Sequence, residues 1–179
     1  MIRNTLTSYG VVAKFFHWTI AFLIIFMLTF GYFLGDFPEA YKGTVYNLHK
    51  LTGLLILSLM LLRLCWALMN PKPILPVTIP GWQLVAERVV HCSLYIAAIG
   101  MPLAGWIGSC AAGRYPHVGD LEFILPIPQN KGIVEAAFNM HSIFAIALII
   151  LISIHALAAL YHHFVKQDQI LKRMLPSCR

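Results

Sequence analysis

Two histidines in the last apolar stretch of the chain are spaced so that both could serve the same kind of chemistry. His141 and His155 are 14 residues apart. On an α-helix this spacing places them about 21 Å apart along the axis and within roughly 40° of one face. Imidazole is a common metal ligand and a proton carrier near neutral pH. One helix would therefore present two such groups at two depths.

Two further histidines lie at matching levels of other apolar stretches. His17 opens the first stretch at the level of His155, and His49 opens the second at the level of His141. The predicted pairs are therefore His17 with His155 and His49 with His141. One facing pair alone could equally be a hydrogen-bonded structural pair, but ionisable residues within membrane spans are costly and indicate function. Two pairs at matched depths favour cofactors held between facing helices.

Ligation of haem iron is the chemistry that such pairs support best. Imidazole on both faces of a planar macrocycle gives six-coordinate iron, which suits electron transfer because no position is left open for oxygen. We therefore predict two haem b groups. Zinc or copper is the competing hypothesis, but zinc would need a tetrahedral cluster at one depth. No C-x-x-C or C-x-x-C-H motif occurs among Cys65, Cys92, Cys110 and Cys178, which argues against an iron–sulfur site and covalently attached haem.

Three other residues are candidates for contact with these cofactors. Gly53 lies one turn beyond His49 on the same face and could make room for a porphyrin, because small residues leave space between helices. Arg63, near the inner end of the second helix, could pair with the propionates of the inner haem or extend to the membrane surface. Lys50 is a weaker candidate for the outer haem. For the helix glycines Gly100, Gly105 and Gly108, plain packing is an equally good explanation.

The remaining histidines suggest where electrons could leave or enter. His91, early in the third helix, and His162, two turns after His155, are both predicted on the inner side. A quinone needs a hydrogen-bond donor and a proton carrier, and histidine supplies both. His91 and His162 are therefore candidates for a quinone site. The alternative is that His162 and His163 are ordinary interfacial residues, and His117 is expected to be solvated in an outer loop.

The elements that must position these residues are predicted from composition. The chain has 179 residues, of which 59% are hydrophobic and 11% charged, so a lipid bilayer is the expected solvent. A membrane helix needs roughly 20 apolar residues. Four stretches qualify, and they predict helices at about 15–34, 48–69, 82–112 and 134–165. The first could pass for a signal peptide, but its apolar run is too long and no A-x-A site follows, so we expect it to be retained.

Basic residues in the short loops predict the orientation of the four helices. With the N-terminus inside, the inner side holds Arg3, Lys14, Arg63, Lys72, Arg88, Lys166, Lys172, Arg173 and Arg179, whereas the outer side holds Lys42, Lys50, Arg114 and Lys131. Both termini are then cytoplasmic. The formal net charge of +6 therefore reflects topology and not binding to nucleic acid.

The loops are short or rich in proline. Residues 70–80 carry four prolines and should be stiff and extended. The outer loop at 113–132 is long enough for a short amphipathic piece over the mouth of the bundle, and residues 167–175 could form a membrane-surface helix.

These motifs together resemble the bacterial dihaem cytochrome b family known as cytochrome b-561, including its superoxide oxidase type. The resemblance covers about residues 9–176 and rests on Phe16-His17-Trp18, Asn47-Leu48-His49-Lys50-Leu51-Thr52-Gly53, Leu62-Arg63-Leu64, Met101-Pro102-Leu103-Ala104-Gly105, Met140-His141-Ser142 and residues 155–164. It implies a single dihaem cytochrome b domain at 1–179, an all-α bundle of four transmembrane helices in the bacterial inner membrane. It implies the same two histidine pairs as haem ligands, and ubiquinone as electron acceptor.

The resemblance implies an enzyme that passes electrons from periplasmic superoxide to ubiquinone. Superoxide is an anion, so a positive outer surface should collect it. The outer loops have four basic residues against five acidic ones, and a local cluster of Lys42, Lys50, Arg114 and Lys131 would be needed. An alternative is an electron-transfer subunit that docks a periplasmic dehydrogenase or hydrogenase. A third is a haem-free scaffold with structural histidines.

Overall fold

A computed structural model describes residues 1–74 and 80–175 and consists almost entirely of four long helices. These are α1 (Val11–Tyr32), α2 (Glu39–Met69), α3 (Gly81–Ala111) and α4 (Lys131–Phe164). All four are long and apolar enough to cross a membrane. The predicted fold class, an all-α membrane protein of four transmembrane helices, is confirmed.

Helix α2 begins nine residues before the predicted start at 48. It starts directly after Pro38, whose fixed φ is compatible with a helix N-terminus, and its first turns are polar. Helix α4 begins at Lys131 because the Asn130 side chain accepts a hydrogen bond from the Ile133 N–H. His49 and His141 are consequently each ten residues inside their helices, not at the first turn.

The helices pack in chain order, α1 on α2, α2 on α3 and, most closely, α3 on α4. Glycines on α3 allow the last contact, since a Cβ atom at Gly100 would meet the Phe144 ring and one at Gly108 would meet Ala137. The core contains residues from all four helices: Ile20, Ile24, Met27, Ile56, Met60, Ala97, Ala98, Met101 and Leu148. Large apolar side chains cover the outward faces, as expected of surfaces that contact lipid.

A short hairpin occupies the outer loop between α3 and α4. Strand β1 (His117–Val118) pairs antiparallel with β2 (Leu121–Glu122), and Gly119 makes the turn with a φ of +57°. Asn47 of α2 holds the hairpin, because its side chain donates to the His117 carbonyl at 2.8 Å and accepts from the His117 N–H at 3.0 Å. The predicted amphipathic segment is thus a hairpin tied to α2.

The N-terminal residues and the segment at 167–175 lie at the same end of the bundle. The Trp18 indole donates to the Met174 carbonyl at 2.9 Å, and the Ile74 N–H donates to the Leu6 carbonyl at 2.8 Å. The segment at 167–175 forms hydrogen-bonded turns in place of the predicted regular helix, because Gln167 has a φ of +53° that reverses the chain. Part of the predicted extended loop, residues 75–79, lies outside the described residues.

Candidate cofactor sites

The structure brings together the two predicted histidine pairs with the same geometry. The ring centroids of His17 and His155 are 6.1 Å apart, and those of His49 and His141 are also 6.1 Å apart. In both pairs the ring planes are inclined by 66°. The two pairs share α4, which contributes one histidine to each, so the 14-residue spacing sets their separation along the bundle.

The separation within each pair fits one metal atom between two imidazoles. A metal–nitrogen bond is about 2 Å, and with about 1 Å more to each ring centre the two centroids would be about 6 Å apart. Among the described residues, no group of three or more His, Cys, Asp or Glu side chains is arranged to hold a metal ion. Each candidate site therefore offers two imidazoles as possible ligands.

His141 is oriented by helix α3. Its Nδ1 lies 2.8 Å from the Met101 carbonyl oxygen, which is the usual second partner of a ligating histidine. The ring can approach this carbonyl because residue 105 is glycine, where an added Cβ would lie 2.9 Å from His141 Nδ1. The Met101 carbonyl thus orients the His141 ring, and the lack of a side chain at Gly105 gives the ring the space to reach that carbonyl.

His49 is held by aromatic and steric contacts instead. Its ring stacks on Phe30 at 6.2 Å between centroids, and a Cβ at Gly31 would lie 3.2 Å from His49 Cε1. The Nδ1 atom of His49 is buried and has no hydrogen-bond partner among the described residues. A buried imidazole nitrogen without a partner is costly, and a bound group at this pair is one explanation.

The inner pair has charged neighbours. Arg63 Nη2 lies 3.3 Å from His17 Nδ1, and the guanidinium also lies over the Tyr95 ring at 5.5 Å from its centroid. His91 packs against His155 with 5.2 Å between ring centroids. Glu87 in turn holds His91 Nδ1 at 2.6 Å. Arg63 and His91, both predicted as site residues, therefore lie at the inner pair.

Gly53 and His162 are placed differently. Among the described residues, a Cβ at Gly53 would have only Pro102 within 4 Å, at 3.9 Å, so the position leaves room but faces α3. His162 Nδ1 lies 2.5 Å from Asp168 Oδ2, beyond the end of α4. His163 Nδ1 is buried without a partner among the described residues. His117 is exposed on the outer hairpin, as predicted.

The outer basic residues divide into two groups. Lys42 is paired with Glu39 at 2.5 Å. Lys50, which follows His49 in the chain, instead donates to the Arg114 main-chain carbonyl at 3.0 Å, so these two basic residues are in contact. Of the four residues of the predicted cluster, Lys50 and Arg114 are thus in contact, the charge of Lys42 is balanced by Glu39, and Lys131 is the first residue of α4.

Six contacts of these sites were not predicted from the sequence. They are made by Phe30, Gly31, Met101, Gly105, Glu87 and Asp168. Of these, Glu87 could have been found, because it precedes His91 by one helical turn. The other contacts depend on how the helices pack against each other and on where the segment after α4 lies.

Four apolar helices with paired histidines at two depths define a membrane protein of the cytochrome b type. The family model described as prokaryotic cytochrome b561 matches residues 8–177, so the chain belongs to this family. It is a haem-binding electron-transfer protein and a multi-pass protein of the bacterial inner membrane. The predicted family and location are confirmed.

Several curated relatives match over most of their length. Cytochrome b561 homolog 2 of Escherichia coli (strain K12) is 30% identical over 181 residues, which cover 96% of this chain and 93% of the relative. A Yersinia pestis protein named probable superoxide oxidase CybB is 30% identical over 167 residues, covering 91% and 93%. Cytochrome b562 of Cereibacter sphaeroides is 27% identical and covers 89% of each chain. These similarities support oxidoreductase activity in general.

Proposed function

We propose that the protein is a dihaem superoxide:ubiquinone oxidoreductase, with His17 and His155 as ligands of the inner haem b and His49 and His141 as ligands of the outer one. The observation that carries the proposal is the equal 6.1 Å separation of the two pairs. The two imidazoles of each pair would hold one haem, which would supply a one-electron carrier.

Superoxide is proposed as the donor on the outer side. Lys50 follows the proposed outer ligand His49 in the chain and contacts Arg114, and the charge of these two residues would raise the local concentration of an anion. The similarity to a relative named probable superoxide oxidase supports the same choice. Two superoxide anions would each give up one electron and leave as oxygen.

Ubiquinone is proposed as the acceptor on the inner side. It needs two electrons and two protons to become quinol. His91 is in contact with His155 and is held by Glu87, while His162 is held by Asp168 near the ends of the chain. These imidazoles could donate hydrogen bonds to a quinone carbonyl and pass protons to it from the cytoplasm.

Arg63 and Gly53 are proposed to contact the cofactors themselves. The guanidinium of Arg63 is close enough to the inner pair to bind a haem propionate there. Gly53 would leave porphyrin space between α2 and α3, since Pro102 is its one near neighbour among the residues that the structure describes. Lys50 is the corresponding candidate for an outer propionate.

The test is a reduced-minus-oxidised absorbance spectrum with haem quantitation on the detergent-purified protein, followed by addition of superoxide and ubiquinone. The expected result is about two haems b per chain, rapid haem reduction by superoxide and formation of quinol. Haem that superoxide leaves oxidised would contradict the donor. A colourless protein would contradict the ligand assignment as well.

A second candidate function is an electron-transfer subunit for a periplasmic dehydrogenase or hydrogenase. The observation that favours it is the apolar surface of the outer hairpin, where Val118, Leu121 and Ile124 are exposed. Such a patch is suited to a protein partner. Haem reduction that requires a co-purified periplasmic protein, and does not occur with superoxide, would support this function over the first.

A further inference from the structure

The two candidate haem sites differ in the group that faces the Nδ1 atom of one histidine in each pair. At the outer pair, His141 Nδ1 faces the Met101 carbonyl oxygen at 2.8 Å. At the inner pair, His17 Nδ1 faces the Arg63 guanidinium at 3.3 Å. A carbonyl accepts a proton-bearing nitrogen, whereas a guanidinium has only donors and a permanent positive charge. The two pairs are therefore alike in geometry, but His141 of the outer pair faces a carbonyl dipole, whereas His17 of the inner pair faces a cation.

We infer that these neighbours set the direction of electron flow: Arg63 favours the reduced state of the inner haem, and the Met101 carbonyl favours the oxidised state of the outer haem. The inference rests on the proposed function, because it assumes that both pairs bind haem. One electron then leaves the outer site and enters the inner site. No proton moves in this step, and no bond to the protein forms or breaks.

The outer effect acts through the ligand. A histidine that donates its second ring N–H to a carbonyl becomes a stronger electron donor to its metal. Stronger donation favours the oxidised, more positive iron, so the potential of the outer haem falls. Gly105 makes this contact possible, since any side chain there would press on the His141 ring.

The inner effect acts through charge. When iron is bound through Nε2, His17 Nδ1 carries a proton, so Arg63 acts by its positive field and not by the observed hydrogen bond. A fixed positive charge within the span disfavours the additional positive charge of oxidised iron. If Arg63 instead binds a propionate, it cancels a negative charge and raises the potential in the same direction. The sign of the effect is the same in both arrangements.

Other charges near the sites do not reverse this order. Glu87 is bound by His91, and its side chain is 37% exposed, so solvent and its partner weaken its field. On the outer side, Lys50 would act on its haem in the same direction as Arg63, but its contact with Arg114 is exposed to solvent and ions, which screen its charge. Arg63 is part-buried against His17 and Tyr95, where screening is weaker.

The experiment is a spectroscopic redox titration of the purified haem protein and of three variants. Arg63→Gln removes the inner charge, while Arg63→Lys retains it. We expect Arg63→Gln to lower one of the two potentials by about 59 mV, a tenfold change in the ratio of reduced to oxidised haem, and Arg63→Lys to lower it much less. Gly105→Ala should raise the other potential by pushing His141 from the Met101 carbonyl.

Gly100→Ala is the matched control for Gly105→Ala. It lies on the same helix and also faces α4, but its missing side chain contacts Phe144 and no candidate ligand. The control should leave both potentials unchanged. Variants with a single haem assign each potential. In the His141→Ala background, which should retain only the inner haem, Arg63→Gln should still lower the potential, whereas Gly105→Ala should leave it unchanged.

The outcomes separate this inference from the function on which it rests. If the wild-type protein binds two haems and neither Arg63→Gln nor Gly105→Ala moves a potential, the inference is wrong and the proposed dihaem function stands. Shifts of opposite sign would overturn it too. If the wild-type protein binds fewer than two haems, the proposed function itself is wrong.

Discussion

Gly31 of α1 lies against the ring of His49 of α2, so closely that a Cβ atom on Gly31 would be 3.2 Å from His49 Cε1. The same ring stacks on Phe30. The outer histidine is therefore positioned by the surface of a neighbouring helix, and α1 takes part in the outer site although it contributes a ligand only to the proposed inner one.

We predict that Gly31→Leu displaces His49 and lowers the haem content from about two per chain to about one. The substitution should not weaken the helix, because leucine has a higher helix propensity than glycine by roughly 1 kcal/mol. Haem quantitation and the reduced spectrum measure the effect. Gly43→Leu is the control, since no atom of the described part of the chain lies within 4 Å of that missing side chain on α2. Full haem content in Gly31→Leu would show that the contact does not position the ligand.

The histidine pairs predict two separable losses. His141→Ala should remove the outer haem and His155→Ala the inner one, because each would leave iron with one axial ligand. Pyridine haemochrome analysis of each purified variant would measure about one haem per chain. His117→Ala serves as a control on the exposed hairpin. Retention of two haems by both ligand variants would contradict the assignment.

Much of the architecture could be predicted from the sequence. The four membrane spans could be predicted from the length of the apolar stretches. The histidine pairs could be predicted from the depth of each histidine in its helix and from the helical period. These are properties of single helices. The early start of α2 at Glu39 was not predicted, because Tyr41, Lys42 and Thr44 carry no apolar signal outside the bilayer.

Contacts between elements were beyond local patterns. The packing of Gly31 on His49 and of Gly105 on His141 depends on how two helices are rotated against each other. The pairing of Asp168 with His162 depends on the reversal of the chain at Gln167. Period and composition describe one segment at a time, so none of these three contacts could be derived from them.

The outer charges predict an effect on the rate of superoxide oxidation. Lys50→Gln should lower the second-order rate constant about threefold to tenfold and weaken its dependence on ionic strength, because one attracting charge is lost near the outer pair. Stopped-flow or pulse radiolysis at a series of salt concentrations measures the rate constant and its dependence on ionic strength. Lys42→Gln is the control, since Glu39 already balances Lys42. An equal decrease of the rate constant in both variants would indicate an effect of net charge alone, and not of Lys50 in particular.

The pairing of Asp168 with His162 predicts an effect on the inner half-reaction. Asp168→Asn keeps the shape of the side chain but removes the anion that holds His162 Nδ1 at 2.5 Å. If His162 passes protons to the quinone, quinol formation should slow about tenfold or more, while haem content and haem reduction by superoxide stay unchanged. Measuring both half-reactions in one preparation separates these effects. Asp120→Asn, on the outer hairpin, is the matched control. Unchanged quinol formation in Asp168→Asn would exclude this pair from the proton route and leave His91 with Glu87 as the remaining candidate.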